Sequence, residues 1–356
     1  MGFEGRFGVV GRKAEGESVG GLMGGGWGVR SVVGMHAIRL HAFGPAENLV
    51  FEEVPDPEPG ADQVRIAVRA AGVHLLDTNI RSGATGGPFP LPDLPQIPGR
   101  EVAGDVDAVG EGVDPGWVGK RVVAHLGMAS QGYAERAVAP VASLHELPDG
   151  LAYDAAVAMI GTGRTTLAVL EAAELQPDDV VLVTAAAGGI GNLLVQAARH
   201  VGATVTGVAG GPDKVAWVKE LGADIALDYR DPSWRSGLEP HFTVAFDSVG
   251  GAVGRAALEL LAPAGRLVIY GWSSGEPTEL TAGDIVGRSL TVTGAIGPRI
   301  LQRPGGMRDL ETQALARAAS GEWVPLVDSR FPLVHAAAAH RALESRATVG
   351  KVILVP

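Results

Sequence analysis

The amino-acid sequence predicts an α/β protein in which an antiparallel, barrel-like region contains an inserted, doubly wound parallel sheet. Three observations lead to this fold class. Residues 35–159 hold short strand-like segments between prolines and glycines, residues 165–296 alternate apolar strands with helices, and the chain ends in one more strand-like segment. The chain has 356 residues, 46% apolar and 19% charged, which is typical of a globular protein with two domains.

Short strands make up the first region. They are MHAIRLHAF, VRIAVRAAGV, VAGDVDAVG, RVVAHL and YAERAVAP. Residues 83–99 are rich in proline and glycine, which indicates a loop of the kind that often borders a binding site. The first 34 residues are glycine-rich and show neither periodicity nor a secretory signal, so we expect a flexible extension ahead of Met35.

Helices and strands alternate in the second region. A helix is expected over residues 165–175, followed by VVLVTA (strand), NLLVQAARHV (helix), TVTGVA (strand), KVAWVKELGA (helix), IALDY and TVAFDSV (strands), GRAALELLAP (helix), and GRLVIYG and SLTVTGAI (strands). Such apolar strands suit a parallel sheet that helices cover on both faces. The final segment VGKVILVP is again strand-like. We therefore divide the chain into an extension (1–34), the first part of a barrel domain (35–158), an inserted domain (159–297) and a part that closes the barrel domain (298–356).

The small residues after the strand VVLVTA form a candidate phosphate-binding bend. A strand runs into AAGGIG (residues 186–191) and then into a helix, which is the context that a dinucleotide-binding fingerprint requires. Gly188 would let a pyrophosphate approach the backbone, and Gly191 would let the helix pack close to the sheet. The N–H groups at the helix start would face the phosphates. Ala186 replaces the first glycine of the usual pattern, and a tight turn that binds nothing is the alternative interpretation.

The end of the next strand indicates which dinucleotide would bind. Sites that prefer NAD usually place Asp or Glu there, where it holds the ribose 2′-hydroxyl. This chain has Val208, Ala209, Gly210 and Gly211, with Lys214 shortly after them. A 2′-phosphate would therefore meet backbone N–H groups and an ammonium, which favours NADPH. The alternative interpretation of Lys214 is an ordinary solvated lysine.

Composition excludes or disfavours several classes of protein. The formal net charge of −11 disfavours binding to nucleic acid or to anionic lipid. Because the chain has no cysteine, it forms no disulfide and offers no thiolate nucleophile or cysteine-held zinc. It also lacks an uninterrupted apolar run of the length that crosses a membrane.

Seven motifs in order resemble the medium-chain dehydrogenase/reductase superfamily, most closely its zinc-independent quinone oxidoreductase (zeta-crystallin-like) branch. They are RAAGVHLLDTNIRSG, IPGREVAGDVDAVGEGV, AAAGGIG, KELGADIALDY, FDSVGG, IYGWSSG and ESRATVGKVILVP. Together they cover nearly all of residues 35–356. The resemblance implies a GroES-like catalytic barrel domain with an inserted Rossmann domain of six strands, and an active site between the two.

The resemblance also implies which residues form the site. The residues that would bind the coenzyme are Gly188, Gly189, Ile190, Gly191, Gly210, Lys214, Tyr229, Tyr270, Ser273 and Arg346. The residues that would line the catalytic cleft are His74, Asn79 and Thr165, with Thr165 near the nicotinamide. For Tyr229 and Tyr270 packing beneath the sheet is the alternative, and for Arg346 it is an ion pair with Glu344.

Two positions argue against a bound metal. Zinc-dependent relatives place a cysteine and a histidine where this chain has His74 and Arg100, and a guanidinium repels a cation. His335 and His340 do not supply another site, because a spacing of five puts them on different faces of a helix. We therefore predict a metal-free protein.

The motif around His74 also departs from the quinone reductases, which carry Asn in place of His74 and Tyr in place of Asn79. An imidazole titrates near neutrality, so His74 is a candidate to protonate a reduced oxygen or an enolate carbon. A structural histidine bonded to a carbonyl is the alternative. We expect Asp77 and Arg81 to order the same loop, as a pair with each other.

The sequence predicts an NADPH-dependent, metal-independent oxidoreductase that transfers hydride to a quinone or another conjugated carbonyl compound. Such acceptors need little acid assistance, because the negative charge spreads over a conjugated oxygen. One alternative is an enone or enoyl-thioester reductase, with an acidic substrate conceivable because Arg81 and Arg100 lie near the cleft. The alternative from another class is an NADPH-binding redox sensor or nucleic-acid-binding protein without turnover, and the acidic composition counts against nucleic acid.

The segment SLTVTGAI predicts the oligomeric state. It is apolar and β-rich, and we expect it to form the final edge strand of the inserted sheet. An unprotected edge invites pairing, and relatives join two such edges into one sheet, so we expect a homodimer in the cytoplasm. The alternative is an edge that the chain's own loops cover.

Overall fold

The computed structural model describes residues 34–84 and 90–356. The predicted N-terminal extension lies outside the described residues except for Gly34, and so do residues 85–89 of the predicted loop. Where the chain is described, it forms fifteen β-strands and ten α-helices.

The strands follow the apolar segments of the sequence. They are β1 (Gly34–Leu40), β2 (Leu49–Pro55), β3 (Gln63–Val73), β4 (Glu101–Val109), β5 (Arg121–His125), β6 (Arg136–Pro140), β7 (Leu144–Glu146), β8 (Val180–Val183), β9 (Thr204–Ala209), β10 (Ile225–Asp228), β11 (Phe242–Asp247), β12 (Leu261–Ile269), β13 (Thr291–Gly294), β14 (Ser329–Pro332) and β15 (Val352–Val355).

The helices lie mostly between the strands of the second region. They are α1 (Leu75–Ser82), α2 (Tyr153–Ala158), α3 (Arg164–Ala173), α4 (Gly189–Val201), α5 (Pro212–Glu220), α6 (Gly251–Glu259), α7 (Ala282–Arg288), α8 (Pro298–Leu301), α9 (Gly306–Ala319) and α10 (Ala336–Glu344). A π-helical turn, Met159–Gly163, joins α2 to α3.

Six strands form a parallel sheet in the order β10-β9-β8-β11-β12-β13. Consecutive residues of β8 point to opposite faces, so Val183 packs in one apolar cluster with Leu194 of α4, and Leu182 packs in another with Leu258 of α6. Both faces are therefore covered, as the apolar strand sequences predict. The strand order reverses beside β8, which places a crevice at the carboxyl ends of β8 and β11.

A second sheet has seven strands in the order β14-β15-β3-β4-β5-β7, with β6 paired to β3. Its pairs are antiparallel apart from β14 with β15. The last strand of the chain, β15, lies beside β3, so the C-terminal segment completes the first region. Strands β1 and β2 form a separate antiparallel pair. The predicted fold class, a barrel-like region with an inserted doubly wound sheet, is confirmed.

Several elements were not expected from the sequence. Strand β2 carries two glutamates and two exposed apolar residues, which is why it lacks a strong strand pattern. Helix α7 contains glycine and charged residues and buries none of its side chains, whereas α9 buries Leu310, Ala314 and Leu315 among exposed polar residues. Over the described ranges, none of the helices combines the length and apolar character needed to cross a bilayer.

Candidate active site

The bend between β8 and α4 presents the start of a helix without a side-chain cap. Ala185 adopts a left-handed conformation (φ 48°), and its carbonyl oxygen accepts a hydrogen bond of 2.8 Å from the N–H of Gly188. Gly188 is the residue before α4 and has no side chain to cap the helix. The N–H groups of the first turn of α4 therefore lack intrahelical acceptors and carry the positive end of the helix dipole. This arrangement suits a phosphate.

Small residues let the bend lie close to its neighbours. A Cβ on Gly191 would overlap the carbonyl oxygen of Ala185, so the close packing predicted at Gly191 is present. The methyl group of Ala186 is tolerated because Gly207 of β9 faces it, and a Cβ on Gly207 would lie 3.0 Å from that methyl group. The usual fingerprint has a glycine at position 186. In this chain the space is provided instead by Gly207 of the adjacent strand.

Four side chains with polar ends converge beyond β9. A Cβ on Gly210 would lie 3.0 Å from the hydroxyl of Tyr229 and 3.1 Å from Nε of Arg230. The half-buried Lys214, near the start of α5, donates a hydrogen bond of 2.7 Å to the carbonyl oxygen of Arg346. Burial lowers the pKa of Lys214, and the nearby charges of Arg230 and Arg346 lower it further. The residues Lys214, Tyr229, Arg230 and Arg346 are called the cationic cluster below.

The cationic cluster is not neutralised by the chain. Among the described residues, Lys214, Arg230 and Arg346 form no ion pair with a carboxylate. The nearest candidate, Asp228, accepts hydrogen bonds from the backbone N–H groups of Gly211 (2.8 Å) and Arg230 (2.9 Å). Arg230 was missed in the sequence analysis, although its position directly after Tyr229 was a signal that could have identified it.

Tyr270 and Ser273 follow β12, at the same carboxyl edge of the sheet as the bend. Their backbone N–H groups donate to the carbonyl oxygens of Asp247 (2.9 Å) and Ser248 (2.8 Å). The Tyr270 hydroxyl is buried, with the side chain of Ser248 nearby. Burial raises the pKa of Tyr270 above its ordinary value, so the hydroxyl is a neutral donor.

His74 lies on the barrel side, directly before α1. Its backbone N–H donates 2.9 Å to the carboxylate of Asp77, which caps the helix. The same carboxylate accepts a hydrogen bond of 3.2 Å from the buried hydroxyl of Tyr133. Asn79 is exposed further along α1, and its side chain makes no hydrogen bond to any described residue.

The imidazole of His74 contacts two buried charged groups. Its Nε2 atom lies 2.7 Å from Oε2 of Glu101 and 2.9 Å from Nζ of Lys351. Burial raises the pKa of the Glu101 carboxyl, but the charges of His74 and Lys351 outweigh that effect and hold the pKa well below its usual range. Neither Glu101 nor Lys351 was identified from the sequence, because their partners are far away along the chain.

Backbone contacts connect His74 to the bend. The N–H of Gly350, next to Lys351, donates 2.8 Å to the carbonyl oxygen of Ala187. Thr165 of α3 donates its hydroxyl proton to the carbonyl oxygen of Gly161 at 2.8 Å. A Cβ on Gly161 would overlap Oε1 of Glu101, so this π-helical turn lies against the carboxylate that holds His74. The predicted phosphate site and the predicted catalytic histidine are therefore brought together, with Thr165 beside them.

Arg81 and Arg100 are both buried, and Arg81 has a different partner from the predicted Asp77. Arg81 is 3% exposed, forms an ion pair with Glu344 and donates 2.7 Å to the carbonyl oxygen of Gly44. Arg81 therefore pairs with Glu344 and not with Asp77. Because Arg81 engages Glu344, the alternative ion pair between Arg346 and Glu344 is not formed. Arg100 is also buried, 3.6 Å from Asp77. Neither guanidinium is exposed to receive an acidic substrate.

Two family models match the chain. Residues 60–149 match the alcohol dehydrogenase GroES-like domain, and residues 189–314 match the zinc-binding dehydrogenase model. The residues present do not fit a zinc ion. The sequence has no cysteine, and no three His, Asp or Glu side chains of residues 34–84 and 90–356 are placed to hold a metal. The Lys351 ammonium is also within hydrogen-bond distance of both Glu101 and His74. Metal independence stays a prediction.

Known proteins match this chain over nearly the whole of their own length. A quinone oxidoreductase of Pseudomonas aeruginosa is 33% identical over 326 residues, covering 90% of this chain and 99% of that protein. A 2-haloacrylate reductase of a Burkholderia species is 30% identical and covers 90% and 98%. The crystal structure of the Escherichia coli quinone oxidoreductase complexed with NADPH matches with a TM-score of 0.80 and 30% identity, covering 90% of this chain and all of that one.

Proposed function

This chain belongs to the medium-chain dehydrogenase/reductase superfamily, in its zinc-independent quinone oxidoreductase branch, and on this basis we infer that it is an oxidoreductase that transfers hydride from NADPH to a quinone or another conjugated carbonyl compound. One observation carries the assignment. The uncapped start of α4 and the unneutralised cationic cluster lie at the same edge of the parallel sheet.

Each part of the site has a role in this reaction. The first-turn N–H groups of α4, at Gly189, Ile190 and Gly191, bind the pyrophosphate. The cationic cluster binds the 2′-phosphate, which an acidic residue at the end of β9 would repel. NADPH, when bound, supplies the hydride. Tyr270 donates its hydroxyl proton to the coenzyme, and Gly210 and Ser273 lie along its path.

The barrel side contributes orientation and a proton. His74 holds the proton that the acceptor oxygen takes up after hydride addition. Thr165 and Asn79 line the same cleft and orient the acceptor. A conjugated acceptor spreads its negative charge, so one imidazole suffices where an isolated carbonyl would need a metal ion.

A second candidate within the same chemistry is a reductase of conjugated acids or enones. The similarity to a 2-haloacrylate reductase favours it. The burial of Arg81 and Arg100 counts against a carboxylate-binding pair of arginines in this chain.

We propose that the protein is a metal-free, cytoplasmic homodimer with the domain division that the sequence predicts. The dimer is supported by the position of β13 at the edge of its sheet in the described part of the chain, and by the exposed apolar side chains of Val286 and Ile296 near it. The two separate sheets support the division at residues 158/159 and 297/298. The coenzyme supports the location, because NADPH is formed and consumed inside cells.

The test is coenzyme oxidation with a panel of acceptors. NADPH and NADH are each offered with 1,4-benzoquinone and with a simple enone, and an alcohol is offered with NADP⁺. We expect turnover with the first two acceptors, a preference for NADPH, and none with the alcohol. Tight NADPH binding without turnover of any acceptor would instead favour a binding protein.

The same panel tests His74. The variant His74→Ala should retain NADPH affinity and lose turnover, because the imidazole is assigned to the acceptor. Equal turnover in the variant and the wild type would leave His74 a structural residue.

A further inference from the structure

Three ionisable groups meet at one nitrogen beside the bend. Nε2 of His74 is 2.7 Å from Oε2 of Glu101 and 2.9 Å from Nζ of Lys351, and Nζ is 2.7 Å from the same Oε2. The Glu101 side chain is fully buried and that of Lys351 is 4% exposed, whereas that of His74 is 24% exposed. Only the histidine of the three therefore has substantial access to a ligand or to water.

Neither buried group has room to move away. The backbone N–H of Lys351 donates 2.8 Å to the carbonyl oxygen of Leu326. A Cβ on Gly72 would overlap Oε2 of Glu101 and would lie 3.1 Å from Cε of Lys351. Gly161 closes the other side of the carboxylate. Packing from β3, the π-helical turn and the segment before β15 thus holds the side chains of Glu101 and Lys351 beside His74.

The two buried charges act on the imidazole in opposite directions. A carboxylate at hydrogen-bond distance favours the protonated ring, and an ammonium at the same distance disfavours it. The interactions are stronger than at a surface because little water reaches the pair. Without Lys351, Glu101 would hold the histidine proton firmly.

The other charges around His74 are engaged elsewhere or are neutral. His125 of β5 lies opposite Glu101 in the sheet register, and burial together with Arg164 lowers the pKa of His125 to about 4. Asp77 of α1 accepts from the backbone of His74 and faces Arg100 of the loop before β4. Arg164 of α3 pairs with Glu311 of α9 at 2.7 Å.

We propose that Lys351 is a positioning residue that weakens the stabilisation of the protonated His74 ring by Glu101, so that the ring can pass the proton on its other nitrogen, Nδ1, to the oxygen of the reduced acceptor. The inference rests on the proposed function and deepens it. For an acceptor that has received a hydride, His74 would give one proton to the acceptor oxygen, and the neutral imidazole would then take a proton from water through its exposed edge.

The test is a titration of the His74 ring by NMR of imidazole-labelled protein, with His74→Asn identifying its signals among the nine histidines. We expect Lys351→Met to raise the titration midpoint of His74 by about one pH unit or more, a tenfold gain in proton affinity. Glu101→Gln should lower it, and Lys351→Arg should leave it close to the wild type. The pH profile of kcat/KM with benzoquinone should move in the same direction.

The control is Lys120→Met, which removes an exposed ammonium of the same barrel that pairs with Glu146. It should leave the His74 titration unchanged. A His74 midpoint that does not move in Lys351→Met overturns the inference, whatever happens to stability. If that variant does not fold, an unmoved midpoint in Glu101→Gln overturns it instead. The titration needs no turnover, so a protein inactive with every acceptor refutes the proposed function and leaves this measurement valid.

Discussion

The ammonium of Lys214 donates a hydrogen bond of 2.7 Å to the carbonyl oxygen of Arg346. This bond joins the start of α5 to the segment that follows α10, 132 residues further along the chain. It uses one of three lysine N–H groups, and the other two remain for a phosphate. We propose that this pair, together with Arg230, binds the 2′-phosphate of the coenzyme.

The first prediction concerns coenzyme preference. Lys214→Ala and Arg230→Ala should each raise the apparent KM for NADPH by roughly ten- to a hundred-fold, because a charge-assisted hydrogen bond contributes about 1.5–3 kcal/mol. The KM for NADH should change little, since NADH lacks the 2′-phosphate. Steady-state kinetics with a fixed quinone measure both values. Lys219→Ala, an exposed lysine of the same helix, is the control, and equal effects on both coenzymes would contradict the assignment.

The second prediction concerns the packing of the bend. Gly191→Ala should destabilise the protein by about 1–3 kcal/mol, because the new methyl group would overlap the backbone of Ala185. It should also weaken NADPH binding by displacing the start of α4. Urea unfolding and calorimetry measure the two effects.

Gly287→Ala is the matched control for this change. Gly287 lies in α7, and a Cβ there would meet nothing within 4 Å. The substitution should stabilise the protein by about 0.5–1 kcal/mol, the usual gain for alanine over glycine in a helix. Similar free energies of unfolding for both variants would show that position 191 is not crowded.

The sequence predicted the parts of the site that local patterns encode. The bend at residues 186–191 was recognisable because its small residues lie between a strand and a helix, and parallel-sheet packing imposes that pattern locally. Lys214 was recognisable because it follows a strand end without an acid. The family motifs added Tyr229, Tyr270, Ser273 and Arg346, whose roles in binding remain predictions.

The sequence did not predict contacts that depend on distant partners. Arg81 pairs with Glu344, which is 263 residues away, rather than with the adjacent Asp77. Lys351 reaches Glu101 across 250 residues. The first pair arises from the packing of α1 against α10, and the second from the sheet order β15-β3-β4. Neither charge periodicity nor spacing along the chain predicts such contacts.

The third prediction concerns assembly. Static light scattering should give twice the 36.5 kDa of one chain, because β13 is an edge strand among the described residues and exposed apolar side chains lie near it. Val286 of α7, just before this edge, is 78% exposed, so Val286→Asp should shift the protein toward the monomer. Val118→Asp, at a 52% exposed position of the barrel, is the control. A monomer mass for the wild type would exclude the dimer.

The last prediction concerns stability in acid. His340 of α10 is fully buried, and its Nε2 atom lies 3.2 Å from the hydroxyl of Tyr133. Burial lowers the pKa of His340 to about 4, against an opposing effect of Asp77 and with a further lowering by Arg81. An unfolded histidine titrates near 6.5. Because the folded value is the lower one, the unfolded state binds the proton first. The stability contributed by neutral His340 is complete above about pH 6.5 and is lost as the pH falls toward 4.

The size of this effect makes it measurable. Between about pH 7.5 and pH 5, a shift of this size removes roughly 2 kcal/mol from the free energy of unfolding. His340→Gln keeps a polar group for Tyr133 and cannot gain the proton, so its free energy of unfolding should fall by about 2 kcal/mol less over that range. His200→Gln, at an exposed position in the last turn of α4, should retain the wild-type dependence. Identical slopes for His340→Gln and the wild type would mean that another group, such as the half-buried His125, governs the loss of stability in acid.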